Sequence, residues 1–209
     1  MRFITSSVAV LAISALTASF ASAALYTTVG GAIPDNAPAG PLVLSFVVTD
    51  PGAVANVNLT LTGLTHTWAG DIIATLKGPG GAPSASIMTR PGSTTPTGVG
   101  DSTNFGGTYR FIDSGADMNA ALALLPDAGV LAGGDYKASF GTVSPIQTVS
   151  LNTIFGGVTA AGTWTLSISD NAAADTGALG SATLSITVPE PATLSAIAGL
   201  SLAALRRRR

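Results

Sequence analysis

Strict alternation of apolar and polar side chains is the feature that most constrains how this chain can fold. It is visible in VANVNLTLTG and recurs in TWTLSISD and SATLSIT. A period of two is that of a strand with one buried face and one solvated face. We therefore expect sheets that are packed on one side. The side chains predicted to face inward are Val57, Leu59, Leu61, Trp164, Leu166, Ile168, Ala182, Leu184 and Ile186.

Shorter runs between clusters of Gly, Pro, Asp and Asn predict further strands. These runs are 42–48, 71–76, 85–88, 109–112, 136–140 and 147–151. The stretch ADMNAALALLPDAG is rich in Ala and Leu and predicts about two helical turns that end at Pro126. Closely spaced strands with almost no other helical periodicity predict an all-β fold, most simply an antiparallel β-sandwich.

The first 23 residues have the pattern of a secretory signal. Arg2 precedes an apolar stretch without charges, and the small residues Ala21 and Ala23 stand where signal peptidase requires them. Several Ser and Thr residues dilute the run, which disfavours the alternative of a membrane anchor with about 20 strongly apolar residues. We expect residues 1–23 to form a signal helix that is cleaved after Ala23.

The body between the two ends of the chain is acidic. Residues 24–187 contain four basic and ten acidic side chains, a net charge of −6, and every acid is an aspartate. Such a surface repels phosphate backbones, so we expect no nucleic-acid partner, whereas cations are compatible with it. The chain has no Cys, so disulfides do not hold the fold together.

Two long motifs resemble the P domain (P/Homo B domain), which follows the catalytic domain of proprotein convertases and of many secreted bacterial peptidases. They are LTHTWAGDIIATLKGPGG and GTWTLSISDNAAADTGALGSATLSI, with IPDN upstream. The resemblance implies a jelly-roll sandwich of about eight strands over residues 24–187. No peptidase domain precedes the motifs in this sequence, so we expect the family's role of stabilising an attached protease to lack a partner within it. The residues that match the family's pattern are His66, Thr67, Gly70, Asp71, Trp164, Asp170, Asp175 and Gly177.

The last 22 residues, VPEPATLSAIAGLSLAALRRRR, resemble a PEP-CTERM sorting signal. The resemblance implies recognition and processing by the membrane transpeptidase exosortase. As a helix, the apolar run 192–205 would be about 21 Å long, shorter than the bilayer's hydrocarbon core of about 30 Å. This favours transient residence in the inner membrane over the alternative of a permanent tail anchor. The sorting motif is Val188, Pro189, Glu190 and Pro191, and the cytoplasmic stop is Arg206, Arg207, Arg208 and Arg209.

The chemistry-bearing residues of the body leave two alternatives open. Asp71, Asp170 and Asp175 lie beside turns, where carboxylates either bind Ca²⁺ or close Asx turns. His66 is the chain's one histidine, and a Ser-His-Asp hydrolase would need it as base, but the chain has no G-x-S-x-G motif. We expect His66 to begin a turn and to hydrogen-bond the backbone there.

These observations predict a non-enzymatic protein of the cell surface or extracellular matrix of a Gram-negative-type bacterium. Signal peptidase and exosortase would be its partners during export, with exopolysaccharide or other envelope proteins as candidate partners afterwards. The first alternative is a carbohydrate-binding module in the exopolysaccharide of a biofilm, which an exposed row of aromatic side chains would favour. The second is an accessory domain that partners a secreted peptidase.

Overall fold

Twelve strands and two short α-helices make up the part of the chain that the computed structural model describes, residues 21–92, 99–140 and 147–189. The helices are α1 (Met118–Leu122) and α2 (Leu151–Phe155). The strands are β1 (Ala21–Ile33), β2 (Leu42–Val48), β3 (Asn56–His66), β4 (Ile72–Lys77), β5 (Ser84–Thr89), β6 (Asn104–Ala116), β7 (Val130–Leu131), β8 (Gly134–Tyr136), β9 (Ala138–Phe140), β10 (Gln147–Val149), β11 (Gly162–Asp170) and β12 (Gly177–Pro189).

The strands form two larger open sheets and one small one. The six-stranded sheet has the order β1-β12-β3-β6-β7, with β8 also paired to β6. The four-stranded sheet has the order β2-β11-β4-β5, and β9 pairs with β10. Every pairing between these strands is antiparallel except those of β7 and β8 with β6. The all-β class is therefore confirmed, although the described residues form twelve strands, several of two or three residues, where the sequence predicted about eight.

The inward-facing rows predicted from the alternation form the core. All nine of those side chains are fully buried, and they belong to one hydrophobic cluster to which both larger sheets contribute. At its centre the ring of Trp164 packs against that of Phe155, with the ring centroids 4.9 Å apart. The indole nitrogen Nε1 of Trp164 donates to the carbonyl of Ala160 at 2.8 Å, so its one polar atom is satisfied.

Several predicted boundaries move in the structure. The strand expected at 71–76 begins at Ile72, because Asp71 belongs to a 3₁₀ turn in which its N–H donates to the Trp68 carbonyl. The strand expected at 136–140 is divided at Lys137, whose N–H donates to Ala116 instead. The strand expected at 147–151 was wrong at its end, because the Ser150 hydroxyl accepts from the Thr153 N–H and begins α2.

Strand β1, which the alternation did not predict, forms the longest ladder with β12. The pairing runs from Ala21 opposite Pro189 to Ile33 opposite Gly177. It includes Ala21 and Ala23, the residues expected at the signal cleavage site, and the Val188 and Pro189 of the sorting motif. Residues 1–20 and 190–209, which hold the rest of the predicted signal helix, Glu190, Pro191, the apolar run and the arginine tail, lie outside the described residues, and the segment boundaries stay predictions.

Within residues 21–92, 99–140 and 147–189, no helix has the length and apolar character needed to cross a bilayer.

Candidate functional site: a polar network between the sheets

Most of the residues singled out by the P-domain resemblance meet at one end of the two larger sheets. His66 ends β3 and Gly177 begins β12, both in the six-stranded sheet. In the four-stranded sheet, Asp170 is the last residue of β11, and Asp71 immediately precedes β4. The bond between the His66 and Asp170 side chains therefore connects one sheet to the other. We call this group the inter-sheet network; it comprises His66, Thr67, Trp68, Asp71, Arg90, Asp170, Asn171 and Asp175.

The central contact of the network joins the His66 ring to the Asp170 carboxylate. Nε2 of His66 lies 3.1 Å from Oδ2 of Asp170, and neither side chain is accessible to solvent. Nδ1 of His66 lies 2.8 Å from the carbonyl oxygen of Trp68 and 3.2 Å from its N–H nitrogen. Either protonation state of Nδ1 therefore finds a partner in Trp68, and the backbone hydrogen bond expected of His66 is present. The second carboxylate oxygen of Asp170 accepts from the Ala172 N–H at 3.1 Å.

Asp71 is the second buried carboxylate of the network, and Arg90 neutralises it. Nη2 of Arg90 lies 3.3 Å from Oδ1 of Asp71, and Nε of Arg90 donates to the Gly70 carbonyl at 3.0 Å. Burial raises the pKa of Asp71, and the nearby Asp170 carboxylate raises it further, whereas Arg90 opposes the rise. Asp71 is thus a carboxylate whose ionised form the folded protein disfavours.

Asn171 binds the backbone of Asp71 within the same network. Its own N–H and its side-chain Nδ2 both donate to the Asp71 carbonyl at 3.0 Å. Nδ2 also lies 3.2 Å from the carbonyl of Ser169 and 3.1 Å from its hydroxyl. The segment that leaves β11 is therefore bound to the turn that precedes β4.

Thr67 and Asp175 form the solvent-facing part of the network. The Thr67 hydroxyl donates to Oδ1 of Asp175 at 2.8 Å and accepts from the Thr176 N–H at 3.1 Å. The Thr67 N–H in turn donates to the Thr176 carbonyl. These bonds hold the loop between β11 and β12 against the turn after β3.

Two glycines of the motif are required by the close approach of neighbouring backbone. A Cβ at Gly70 would overlap the backbone of Gly100 and Asp101, and a Cβ at Gly177 would overlap the Thr65 carbonyl and the His66 ring. A larger residue at position 70 would push the turn that holds Asp71 away from Gly100 and Asp101, and one at position 177 would push the start of β12 away from the end of β3.

The three aspartates expected to bind Ca²⁺ approach one another, but each is bound to a different protein group. Asp170 is paired with His66, Asp71 with Arg90, and Asp175 with Thr67. Ca²⁺ takes six to eight oxygen ligands, and no group of three or more His, Cys, Asp or Glu side chains in the described ranges has the geometry to hold a metal. Each of these carboxylates is thus bound by a protein group, and Ca²⁺ binding stays a prediction from the sequence.

Other predicted residues lie away from the network. Trp164 is a core residue packed on Phe155, and Val188 and Pro189 end β12. Three members of the network, Trp68, Arg90 and Asn171, were not among the site residues predicted from the sequence, and Trp68 lies inside the LTHTWAGD stretch beside His66 and Thr67. Asn171 lies inside the DNAAADTG motif beside Asp170, so the motif itself was the available signal, whereas Arg90 lies in TRPG and carries no local mark of its partner.

Comparisons with known proteins add little to this picture. No family model and no curated protein matches the chain. Among solved structures, a chain of the Aeromonas sobria serine protease complex with the chaperone ORF2 is similar at a TM-score of 0.41 and 14% identity, over 80% of this chain and 28% of that one. The Aeromonas sobria serine protease alone gives the same TM-score and identity over 79% and 27%. The chain thus spans little more than a quarter of the length of these structures.

Proposed function

We propose that the chain is a non-catalytic, exported module of the cell surface or extracellular matrix. The observation that carries the proposal is the complete burial of His66 and Asp170 in a bond that joins the two sheets. A general base must reach a proton on its substrate, and this histidine, the base that a Ser-His-Asp hydrolase would need, faces other protein groups with both ring nitrogens. The polar side chains of the motif form hydrogen bonds to other parts of the fold, which supports a structural or interaction role.

The aromatic side chains support a structural role over a stacking type of carbohydrate-binding module. Phe140, 47% exposed, is the one aromatic residue among the large exposed apolar side chains of the described segments. Trp68 is half-buried, and its Nε1 donates to the Val99 carbonyl at 2.9 Å. A row of exposed rings of the kind that stacks on sugar chains is therefore not among the described residues.

Delivery is the second part of the proposal and rests on the two terminal segments of the sequence. Signal peptidase would release residues 24 onward, and exosortase would process the Val188–Pro191 motif while the arginine tail stays in the cytoplasm. The jelly-roll topology, the terminal helices and the P-domain relationship belong to this proposal as well.

The test is the intact mass of the protein recovered from the surface of the producing cells. We expect a chain that begins near Ala24, ends near Glu190 or Pro191 and lacks Arg206 to Arg209. The variant Glu190→Ala should leave the full-length tail in the inner membrane. Surface protein that still carries the four arginines would contradict the sorting proposal.

A further inference from the structure

A polar cleft opens on the solvent side of the six-stranded sheet, between β3 and β6. It has a volume of about 330 Å³, at the lower end of the range of about 300–1,000 Å³ for small-molecule sites. Six of its seven lining side chains are polar: Asn56, Asn58, Arg110, Asp113, Ser114 and Asn152, with Ile112 as the apolar member.

The cleft exists because the ladder between β3 and β6 stops early. Their last paired residues in this direction are Leu59 and Phe111, although both strands continue. Continued in the same register, the ladder would place Val57 opposite Asp113. The first turn of α2 occupies that gap instead: Val57 donates its N–H to Oδ1 of Asn152 at 2.8 Å, and Asp113 accepts from the Leu151 N–H at 2.8 Å.

Several polar groups at the cleft are left without partners in the described part of the protein. The side chains of Asn56 and Asn58 are half-buried and make no hydrogen bond to any described residue. Nδ2 of the half-buried Asn152 and the hydroxyl of the exposed Ser114 also lack a hydrogen bond to the described residues. An amide offers two donors and an acceptor, and a hydroxyl is both. The free groups therefore match a ligand whose own groups both donate and accept.

The charged residues of the cleft are already bound by groups of the protein. Arg110 donates through Nε to Asp135 at 2.8 Å and through Nη2 to the same carboxylate. Asp113 accepts from the Ser150 hydroxyl and from the N–H groups of Leu151 and Asn152. Arg110 is therefore not free to pair with an anion, and both oxygens of Asp113 already accept hydrogen bonds, so a neutral ligand that needs neither charge is favoured.

We propose that this cleft binds a neutral saccharide through hydrogen bonds to the amides of Asn56 and Asn58, with Ile112 as the apolar surface beneath a sugar ring. This site requires no exposed aromatic row. The inference goes beyond the proposed surface function. It is independent of export and tail processing because no residue of the signal segment 1–23 or of the sorting segment 188–209 lines the cleft.

The experiment is to apply the full chain to an array of neutral gluco-, galacto- and manno-oligosaccharides together with anionic glycans, and then to titrate the best neutral binder by calorimetry. The double variant Asn56→Ala, Asn58→Ala removes the two amides but no side-chain hydrogen bond between described residues. We expect it to weaken binding at least about tenfold, with an unchanged unfolding midpoint.

The matched control is Thr62→Ala, an exposed position on the same strand outside the cleft. It should bind as the parent does. The proposal is overturned if no neutral glycan binds at millimolar concentration, if the double variant binds as tightly as the parent, or if only anionic glycans bind. Each of these outcomes leaves the test of tail processing unaffected.

Discussion

At the scale of single residues, the His66–Asp170 contact is the central point of the inter-sheet network. Asp170→Ala would leave Nε2 of His66 buried without its acceptor. Leaving a buried hydrogen-bonding group without its partner lowers the free energy of unfolding by about 1–3 kcal/mol, and we expect a loss of this size in denaturant titrations. The matched control is Asp175→Ala, which removes a solvent-facing carboxylate and should cost under about 1 kcal/mol. Equal losses in the two variants would show that the network is not organised around His66.

Asp71 should give the protein a stability term that weakens as pH rises. Its pKa is raised above the ordinary 3.8 by burial and by Asp170, so the contribution is fully present below the unfolded pKa and is lost as pH rises through the folded pKa. We expect the unfolding free energy of the parent, minus that of Asp71→Asn, to be larger at acidic than at neutral pH. Denaturant unfolding at a series of pH values measures this difference.

Asp135 supplies a contrast of opposite sign for the same measurement. The hydrogen bond from Arg110 lowers its pKa, so its contribution is present above the unfolded pKa and is lost as pH falls through the folded pKa. The unfolding free energy of the parent, minus that of Asp135→Asn, should therefore decrease as the pH is lowered. Two curves with the same slope would contradict the environments assigned to these carboxylates.

Trp164 is the residue whose removal should most damage the core. It is fully buried, packs on Phe155 and satisfies its nitrogen at Ala160. Trp164→Ala should lower the free energy of unfolding by about 3–5 kcal/mol. Thr165→Ala, on the opposite face of the same strand, should change it little, and the midpoints of chemical unfolding distinguish the two.

At the scale of elements, α2 depends on one side chain from a distant strand. Asp113 of β6 accepts from Ser150, Leu151 and Asn152 and so caps the helix in the manner of an N-cap residue. Asp113→Ala should cost about 1–2 kcal/mol, measured by denaturant unfolding. Asp35→Ala, an exposed aspartate without hydrogen bonds to the described residues, should be neutral. A neutral Asp113→Ala would show that the Ser150 cap and the burial of Leu151 and Phe155 are sufficient to hold α2.

The sequence predicted those elements whose own side chains reveal their faces. In the segments 57–61 of β3, 164–168 of β11 and 182–186 of β12 every second residue is apolar and buried, so the period of two was sufficient there. Strand β1 lacks that mark, because Leu25 and Val29 are exposed and two glycines interrupt it; its pairing with β12 makes it a strand. Arg90 and α2 were missed for a related reason, since their positions depend on partners far away in the chain.

At the scale of the whole molecule, calcium tests whether the carboxylates of the inter-sheet network are satisfied by protein groups without a bound ion. The pairing of Asp71, Asp170 and Asp175 with protein groups predicts matching thermal midpoints of the full chain in millimolar Ca²⁺ and in EGTA at equal ionic strength. A bound ion at a hundredfold excess over Kd would instead add about 2.7 kcal/mol. A rise in the midpoint that disappears in Asp170→Asn would assign a calcium site to the network.

The ladder between β1 and β12 has a consequence for protein engineering. Because Ala21 is the direct neighbour of Pro189, the two points at which the chain enters and leaves the sheet are about 5 Å apart. A short linker between them should permit circular permutation, with new termini at an exposed turn. The same geometry would let the domain be inserted into a surface loop of a host protein. The two host residues at the insertion point would need to move apart by no more than the distance between two paired strands.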